Sequence, residues 1–319
     1  MKNKMVSIVI SAFNEQDNIV PLYEELLTHT QGVKQVDFEF IYVDDGSMDK
    51  TYANCLGLQK KDRRVKVVQL KRNFGHEIAM TAGMDYAKGD AVIFMDADLQ
   101  HPPRYIPEMI ALWQSGKEIV LTKRTDNQDT SRLYKACAKL FYFILNKLSD
   151  TKIMESAPDF RLLDRKYVDF LKGFNEQDRL FRGLLSWMMP NDNVAMIEFV
   201  SPPRHAGTSK YNFFKSSRLA VNSMVQFSVF PLRLATYLGL LTAVVAVLHG
   251  LYVFVEYFFL NKPTPGYATI MTTVTFLGSV QLICLGILGE YIGKIHMEVK
   301  KRPLYVADYI TADKDEKHA

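Results

Sequence analysis

Through roughly the first two hundred positions the apolar residues come in short, dense runs, each ended by polar ones. Val6–Phe13 ("VSIVISAF"), the run "FEFIYV" before Asp44, Val65–Leu70 ("VKVVQL") and the run "AVIF" before Met95 and Asp96 are rich in β-branched and aromatic side chains. A strand reads this way when both of its faces are covered. Between the runs the spacing changes. In "NIVPLYEELLTHT", Ile19, Leu22 and Leu26 recur at helical intervals, and "HEIAMTAGMDYAKG" predicts a second helix, closed by Gly89. "PPRYIPEMIALWQSG" predicts a turn and then a helix, because paired prolines block a continuing strand, and Ile119–Arg124 ("IVLTKR") predicts a further strand. This alternation specifies an α/β fold, a mostly parallel sheet with helices on both faces.

Beyond position 230 the pattern is different. Leu232–Leu260 and Ala268–Ile292 are overwhelmingly apolar, each long enough to cross a hydrocarbon core of ~30 Å at ~1.5 Å per residue. Burial in a large soluble domain is the competing reading, and Arg233, His249, Glu256 and Glu290 argue for it. All but His249 lie near the ends, where a long side chain reaches the interface, so two transmembrane helices are expected, joined by "NKPTPGY". Arg204, Lys210, Lys215, Arg218 and Arg233 precede or open the first, and Lys294, Lys300, Lys301 and Arg302 follow the second, against Lys262 alone between them. Positive charge stays inside, which places the N-terminal domain and the tail in the cytoplasm. The N-terminal "MKNKMVSIVISAFNE" has too short an apolar stretch for a cleavable signal. The expected division is a catalytic domain over 1–205, a juxtamembrane interfacial segment over 206–231, a hairpin over 232–293 and a tail over 294–319. Lys210–Arg233 mixes bases with Phe213, Phe214 and Phe227 and contains no acid, as suits a membrane surface; Arg132–Leu148 is either a second interfacial helix or one packed on the sheet.

Composition narrows the picture only slightly. A net charge of +4 on 319 residues suggests no nucleic-acid partner, and three separated cysteines, odd in number and without a CxxC pair, fit a reducing compartment and not a disulfide scaffold and imply no zinc site. The strand ends say more. Asn14 and Glu15, Asp44 and Asp45, Asn73, and Asp96, Asp98 and Gln100 each follow a separate predicted strand, and ligands of open α/β sheets bind beyond the carboxyl ends of their strands. In "MDADLQHPP" two carboxylates and an amide offer hard oxygen ligands suited to Mg²⁺ or Mn²⁺, an ion that shares itself with phosphate oxygens. No Walker A loop and no Rossmann glycine fingerprint is present. A nucleotide would therefore be held by acids and a metal.

The series "SAFNE", "YVDDGSMDKT", "KRNFGHEIAMTAGMDYAKGD", "FMDADLQHPP", "DFRLLDR", "FRGLLSW" and "RHAGTSKY", followed by two apolar spans, resembles the membrane-bound polyprenyl-phosphate glycosyltransferases of glycosyltransferase family 2. The resemblance covers almost the whole chain. It implies a GT-A fold, a UDP-linked sugar donor, a divalent metal and inverting transfer to a lipid phosphate such as undecaprenyl phosphate in the bacterial cytoplasmic membrane. It further implies that Asn14, Glu15, Asp44, Asp45, Asn73 and Asp96 bind the nucleotide sugar, that Asp96, Asp98 and Gln100 surround the metal, and that Asp98 and Asp159 are catalytic, Asp159 standing at the base position. Arg124, Arg132, Arg204 and Lys210 are the implied acceptor-phosphate contacts. Two departures stand out: Pro158 replaces a frequent glycine before Asp159, and the QxxRW motif of processive synthases is missing, which favours transfer of one sugar. Glucose is the first choice, with N-acetylglucosamine or another sugar the alternative; a non-catalytic membrane-anchored binding protein and a lipid flippase are the competing classes. Gly278, Gly286, Gly289 and Gly293 could support close packing of helices in a homo-oligomer.

Overall fold

A computed structural model of the chain describes residues 3–125, 158–174, 176–177, 179, 181–189, 193–200, 202, 228–259 and 266–310. Among them the chain forms two compact units, one holding 3–125, the described residues from 158 to 202 and 302–310, the other 228–259 and 266–301.

The first unit is built on a sheet of eight strands in the order β7-β5-β6-β4-β1-β2-β3-β8. The strands are β1 (Lys4–Ala12), β2 (Val36–Asp44), β3 (Val65–Leu70), β4 (Ala91–Asp96), β5 (Ile119–Arg124), β6 (Arg161–Asp164), β7 (Val194–Phe199) and β8 (Ala307–Ile310). β1 pairs in parallel with β2 and β4, β2 with β3 and β5 with β7. β6 runs antiparallel between β4 and β5, and β8 antiparallel along β3. The helices are α1 (Ile19–Thr30), α2 (Thr51–Lys61), α3 (His76–Tyr86), α4 (Ile106–Gln114), α5 (Arg165–Gly173) and α6 (Phe181–Met188).

The continuous apolar runs are explained by burial on both sides. Ile8, Ile10, Phe40, Tyr42, Ile93 and Met95 face a core shared with α1, α2 and α4, while their neighbours Val9, Ile41, Val43, Val92 and Phe94 face a second core with α3, α5 and α6. α1 turns Ile19, Leu22, Tyr23 and Leu26 inward as one stripe. Asp164 starts α5: one carboxylate oxygen accepts the Lys166 amide at 3.0 Å and the other the Trp113 indole N–H at 2.8 Å. α3 ends at Tyr86, three residues before the glycine expected to close it. Gly89 serves the sheet instead, donating its amide to Ser7 Oγ at 2.8 Å.

β8 follows the apolar C-terminal spans in sequence, yet pairs Val68 with Ile310 and Gln69 with Tyr309. Lys71 N–H donates to Val306 O at 2.9 Å, and the Tyr305 hydroxyl to Asp85 Oδ2 at 3.0 Å. Residues read from sequence as a plain tail thus close one edge of the sheet, an outcome that four residues without a strong alternation do not announce.

The second unit contains α7 (Phe230–Phe259) and α8 (Gly266–Val299). Both are long and apolar enough to cross a membrane. Leu240, Leu241, Leu248, Leu251, Ile283 and Leu285 are exposed along them. Near one end of the pair the Tyr291 hydroxyl donates to Ser228 O at 2.6 Å.

Candidate active site

Three parallel strands, β2, β1 and β4, end side by side, with Ala12 beside Asp44 and Ser11 beside Asp96 in the register. The polar clusters that follow them therefore meet along one edge. Asn14, at φ 54°, donates its amide to Ser47 Oγ at 2.9 Å and accepts the Met48 amide on Oδ1 at 2.9 Å. The Glu15 amide donates to Thr51 Oγ1 at 2.8 Å, and its carboxylate accepts from Asn18 at 2.6 Å. These two residues lace the loop after β1 to the loop after β2.

The adjacent acids Asp44 and Asp45 have different surroundings. Asp45 accepts the amides of Phe74 and Gly75, one on each oxygen, at 2.7 and 2.9 Å. It thereby grips the turn that leads into α3. Gly46, at φ +69°, lies so close to this turn that a Cβ there would stand 2.7 Å from the backbone nitrogen of the exposed Asn73. Asp44 is fully buried; its Oδ1 accepts the Ser47 amide at 3.1 Å, and its Oδ2 has no partner among the described residues. Burial pushes the carboxyl group of each upward from the usual range, with the bonds to Ser47, Phe74 and Gly75 pulling the other way. A buried oxygen without a donor is costly, and on Asp44 it leaves an acceptor open to an N–H or O–H of a bound ligand.

At the end of β4 the Asp96 carboxylate is about one-third open and accepts Ser11 Oγ–H at 2.9 Å. Its backbone amide donates to Nδ1 of buried His101, which stacks on Phe160 at 5.3 Å. Asp98 is buried and accepts the Gln100 amide at 3.1 Å across Leu99, which adopts φ 62°. Among the described residues no three His, Cys, Asp or Glu side chains are grouped to hold a metal by themselves. Two carboxylates are nonetheless a fitting donor set for Mg²⁺ or Mn²⁺, which takes one or two from the protein and the rest from phosphate oxygens and water.

Asp159 reaches the same edge through an antiparallel partner. Because β6 runs against β4, with Arg161 opposite Phe94, the start of β6 lies beside the end of β4. Asp159 Oδ1 accepts from Arg161 Nη2. Its Oδ2 meets His76 Nε2 at 3.1 Å and Arg182 Nη2 at 3.4 Å. Burial opposes the charge, but Arg161, His76 and Arg182 outweigh it and hold the carboxyl well below the usual range. Arg161, two residues along the chain, pairs with Asp159, whereas Arg165 donates to the carbonyls of Ala87 and Gly89. Behind this cluster Glu77 accepts the Phe181 amide at 3.2 Å and is raised to about 7 by burial and by the charge of Asp159.

The structure thus gathers Asn14, Glu15, Asp44, Asp45, Asn73, Asp96, Asp98, Gln100 and Asp159 around neighbouring strand ends. Arg124, half-buried at the end of β5, accompanies β7 toward the same end of the sheet. Arg132, Arg204 and Lys210 lie outside the described residues. Ser11, His76, Arg161 and Arg182 carry no assigned role in the sequence reading. For His76 a signal existed, its place at the first position of the helix after the third strand; for Arg182 there was none, since it arrives from α6 by tertiary packing.

Comparison with known proteins gives the chain its family. Residues 7–171 match the glycosyl transferase family 2 model, and residues 230–295 match the GtrB C-terminal hairpin. The bactoprenol glucosyl transferase of Shigella phage SfII is 40% identical over 301 residues, covering 94% of this chain and 96% of that protein. The prophage bactoprenol glucosyl transferase homolog of Escherichia coli (strain K12) is 38% identical over 301 residues, with 94% and 97% covered. A solved glucosyl-3-phosphoglycerate synthase from Mycobacterium tuberculosis, in complex with Mn²⁺, UDP-glucose and phosphoglyceric acid, superposes with a TM-score of 0.48 at 17% identity, over 70% of this chain and 78% of that one. With a family 2 domain carrying its acids at the strand ends and a GtrB-type hairpin behind it, the chain belongs to glycosyl transferase family 2 and is a glycosyltransferase.

Proposed function

We propose that the enzyme transfers one glucose from UDP-glucose to a polyprenyl phosphate, with inversion, at the cytoplasmic face of a bacterial membrane. The observation that carries the acceptor and the sugar is the near full-length similarity to bactoprenol glucosyl transferases. The unpartnered Asp44 Oδ2 supports a nucleoside at the end of β2. Asp96 and Asp98 would hold the divalent metal, which when bound neutralises the diphosphate and the charge that develops on UDP as it leaves. Arg124, Arg132, Arg204 and Lys210 are the proposed contacts of the acceptor phosphate, for which the planar guanidinium fork is suited.

In the reaction a phosphate oxygen of the lipid forms a bond to the anomeric carbon from the face opposite UDP, and the bond from that carbon to the diphosphate oxygen breaks. A phosphate monoester has a second pKa of about 6, so near neutral pH the attacker is mostly dianionic and has no proton to lose. Asp159 is therefore assigned to positioning. Gripped by two arginines and an imidazole, it has little affinity for a proton, and its charge holds buried Arg161 and the partly open Arg182 in place beside the strand ends.

The test is to incubate membranes containing the enzyme with a panel of labelled nucleotide sugars and undecaprenyl phosphate. Label from UDP-glucose should enter the organic phase. Label from another nucleotide sugar alone would overturn the choice of glucose, and none from any would overturn the acceptor.

A further inference from the structure

His76 lies between two carboxylates that come from different strands. Its Nδ1 is 3.2 Å from Asp96 Oδ1 and 2.9 Å from Ser11 Oγ, and its Nε2 is 3.1 Å from Asp159 Oδ2. Asp96 belongs to the group proposed to meet the donor diphosphate, whereas Asp159 anchors Arg161 and Arg182. The imidazole is a rigid plane with its two nitrogens on separate edges; bonded to Asp159 at one edge and joined to Asp96 at the other through Ser11 and a 3.2 Å contact, the ring constrains how far apart the two carboxylates stand.

The ring is itself held in place. Asp45 clamps the amides of Phe74 and Gly75, Gly75 takes φ +102°, and α3 begins at His76. The second acid of "VDDGS" thus acts on the first residue of α3. Ser11, on the strand next to β4, bonds both Nδ1 of the ring and Oδ1 of Asp96, which closes a three-membered polar contact on the donor side. Side-chain exposure of 37% leaves the ring edge open to what binds there.

We propose that His76 is a positioning residue that couples the donor-side acid Asp96 to the Asp159 cluster, so that the anomeric carbon and the attacking phosphate are brought into line. This rests on the transferase reading of the site. It differs from a packing role because its effect is transmitted through Asp159, and it predicts a loss in turnover with binding preserved.

The experiment compares His76→Gln, His76→Ala, Asp159→Asn and the double variant His76→Ala/Asp159→Asn, as full-length enzyme in detergent, with whichever nucleotide sugar labels the lipid in the panel above. His76→Ala should lower kcat by about 10²-fold, the scale of a misplaced reacting group. The KM for the donor, the affinity for UDP measured by calorimetry with Mn²⁺ present, and Tm should stay near wild type. His76→Gln, which still reaches one neighbour, should recover part of the rate. The double variant should be no slower than the slower single variant. Wild-type kcat in His76→Ala, a loss that follows Tm or UDP affinity, or additive losses in the double variant would each overturn the proposal. A panel in which no sugar reaches the lipid overturns the functional reading instead, and is told apart by the wild-type enzyme alone.

Discussion

Asp44 and Asp45 are neighbours with opposite tasks, and the difference can be tested. Asp45 spends its oxygens on two backbone amides, whereas Asp44 keeps one buried oxygen without a donor. In Asp44→Asn an amide N–H can occupy the acceptor position, so UDP affinity should fall by about 10- to 100-fold, the worth of a charge-assisted hydrogen bond, while Tm is unchanged or higher because a buried charge has gone. Calorimetric titration with UDP and a thermal melt check both halves. Asp98→Ala should abolish metal-dependent transfer in a radiolabelled assay while the protein still folds, and chelator should do the same to wild type; full turnover with chelator present would contradict the metal assignment. Arg204→Ala should mainly raise the KM for lipid phosphate, read from initial rates at varied acceptor. Away from the site, Glu39 accepts from Ser7 Oγ at 2.5 Å, from the Lys88 amide at 2.7 Å and pairs with Lys66 at 2.8 Å. Burial opposes its charge, but these partners prevail and hold its carboxyl below the ordinary 4.5. A depressed acid stabilises the fold at pH values above 4.5 and loses that contribution as pH falls through its folded value. Glu39→Gln should therefore lower Tm at neutral pH and flatten the acid side of a Tm-against-pH curve.

At the scale of elements, the parallel half of the sheet was legible because each of its strands is buried on both faces and ends in polar residues. β1, β2, β3 and β4 stand where their apolar runs predict, and so the gathering of Asn14, Asp44, Asp96 and Asp98 could be foreseen. β6 and β8 could not. Each has four residues, too few for a period to be read, and each pairs antiparallel with a strand far away in sequence. The position of Asp159 beside Asp96 depends on that antiparallel pairing, so the composition of the site was visible while its internal geometry was not. The partners of Asp159 show the same limit, since Arg161 is two residues away whereas His76 and Arg182 arrive on α3 and α6. β8 offers the element-scale test. Truncation after Val306 removes three paired positions and the edge contact of Tyr309 with Tyr52 at 6.2 Å. At about 0.2–1 kcal/mol per cross-strand pair, it should cost about 1–2 kcal/mol, measured as a lower Tm of the purified protein that still fractionates with membranes.

At the scale of the whole molecule, the pairing of β8 with β3 links the two ends of the chain's logic. The apolar helices α7 and α8 lie between β7 and β8 in sequence. If α7 and α8 cross a bilayer, a strand that follows them joins the catalytic sheet only after an even number of crossings, the number that two spanning helices make. Reporters fused at the two ends should therefore be protected from protease together in intact cells; exposure of one alone would contradict the hairpin. The same pairing sets an order of events during synthesis. While the ribosome is still making the spans, β3 carries an open row of backbone donors and acceptors, the kind of edge that recruits other strands. Residues 307–310 reach it only after both spans have emerged. Completion of the sheet thus waits on synthesis of both apolar helices, and a chain arrested between them would carry a glycosyltransferase sheet with one open edge, exposed to pairing with other strands.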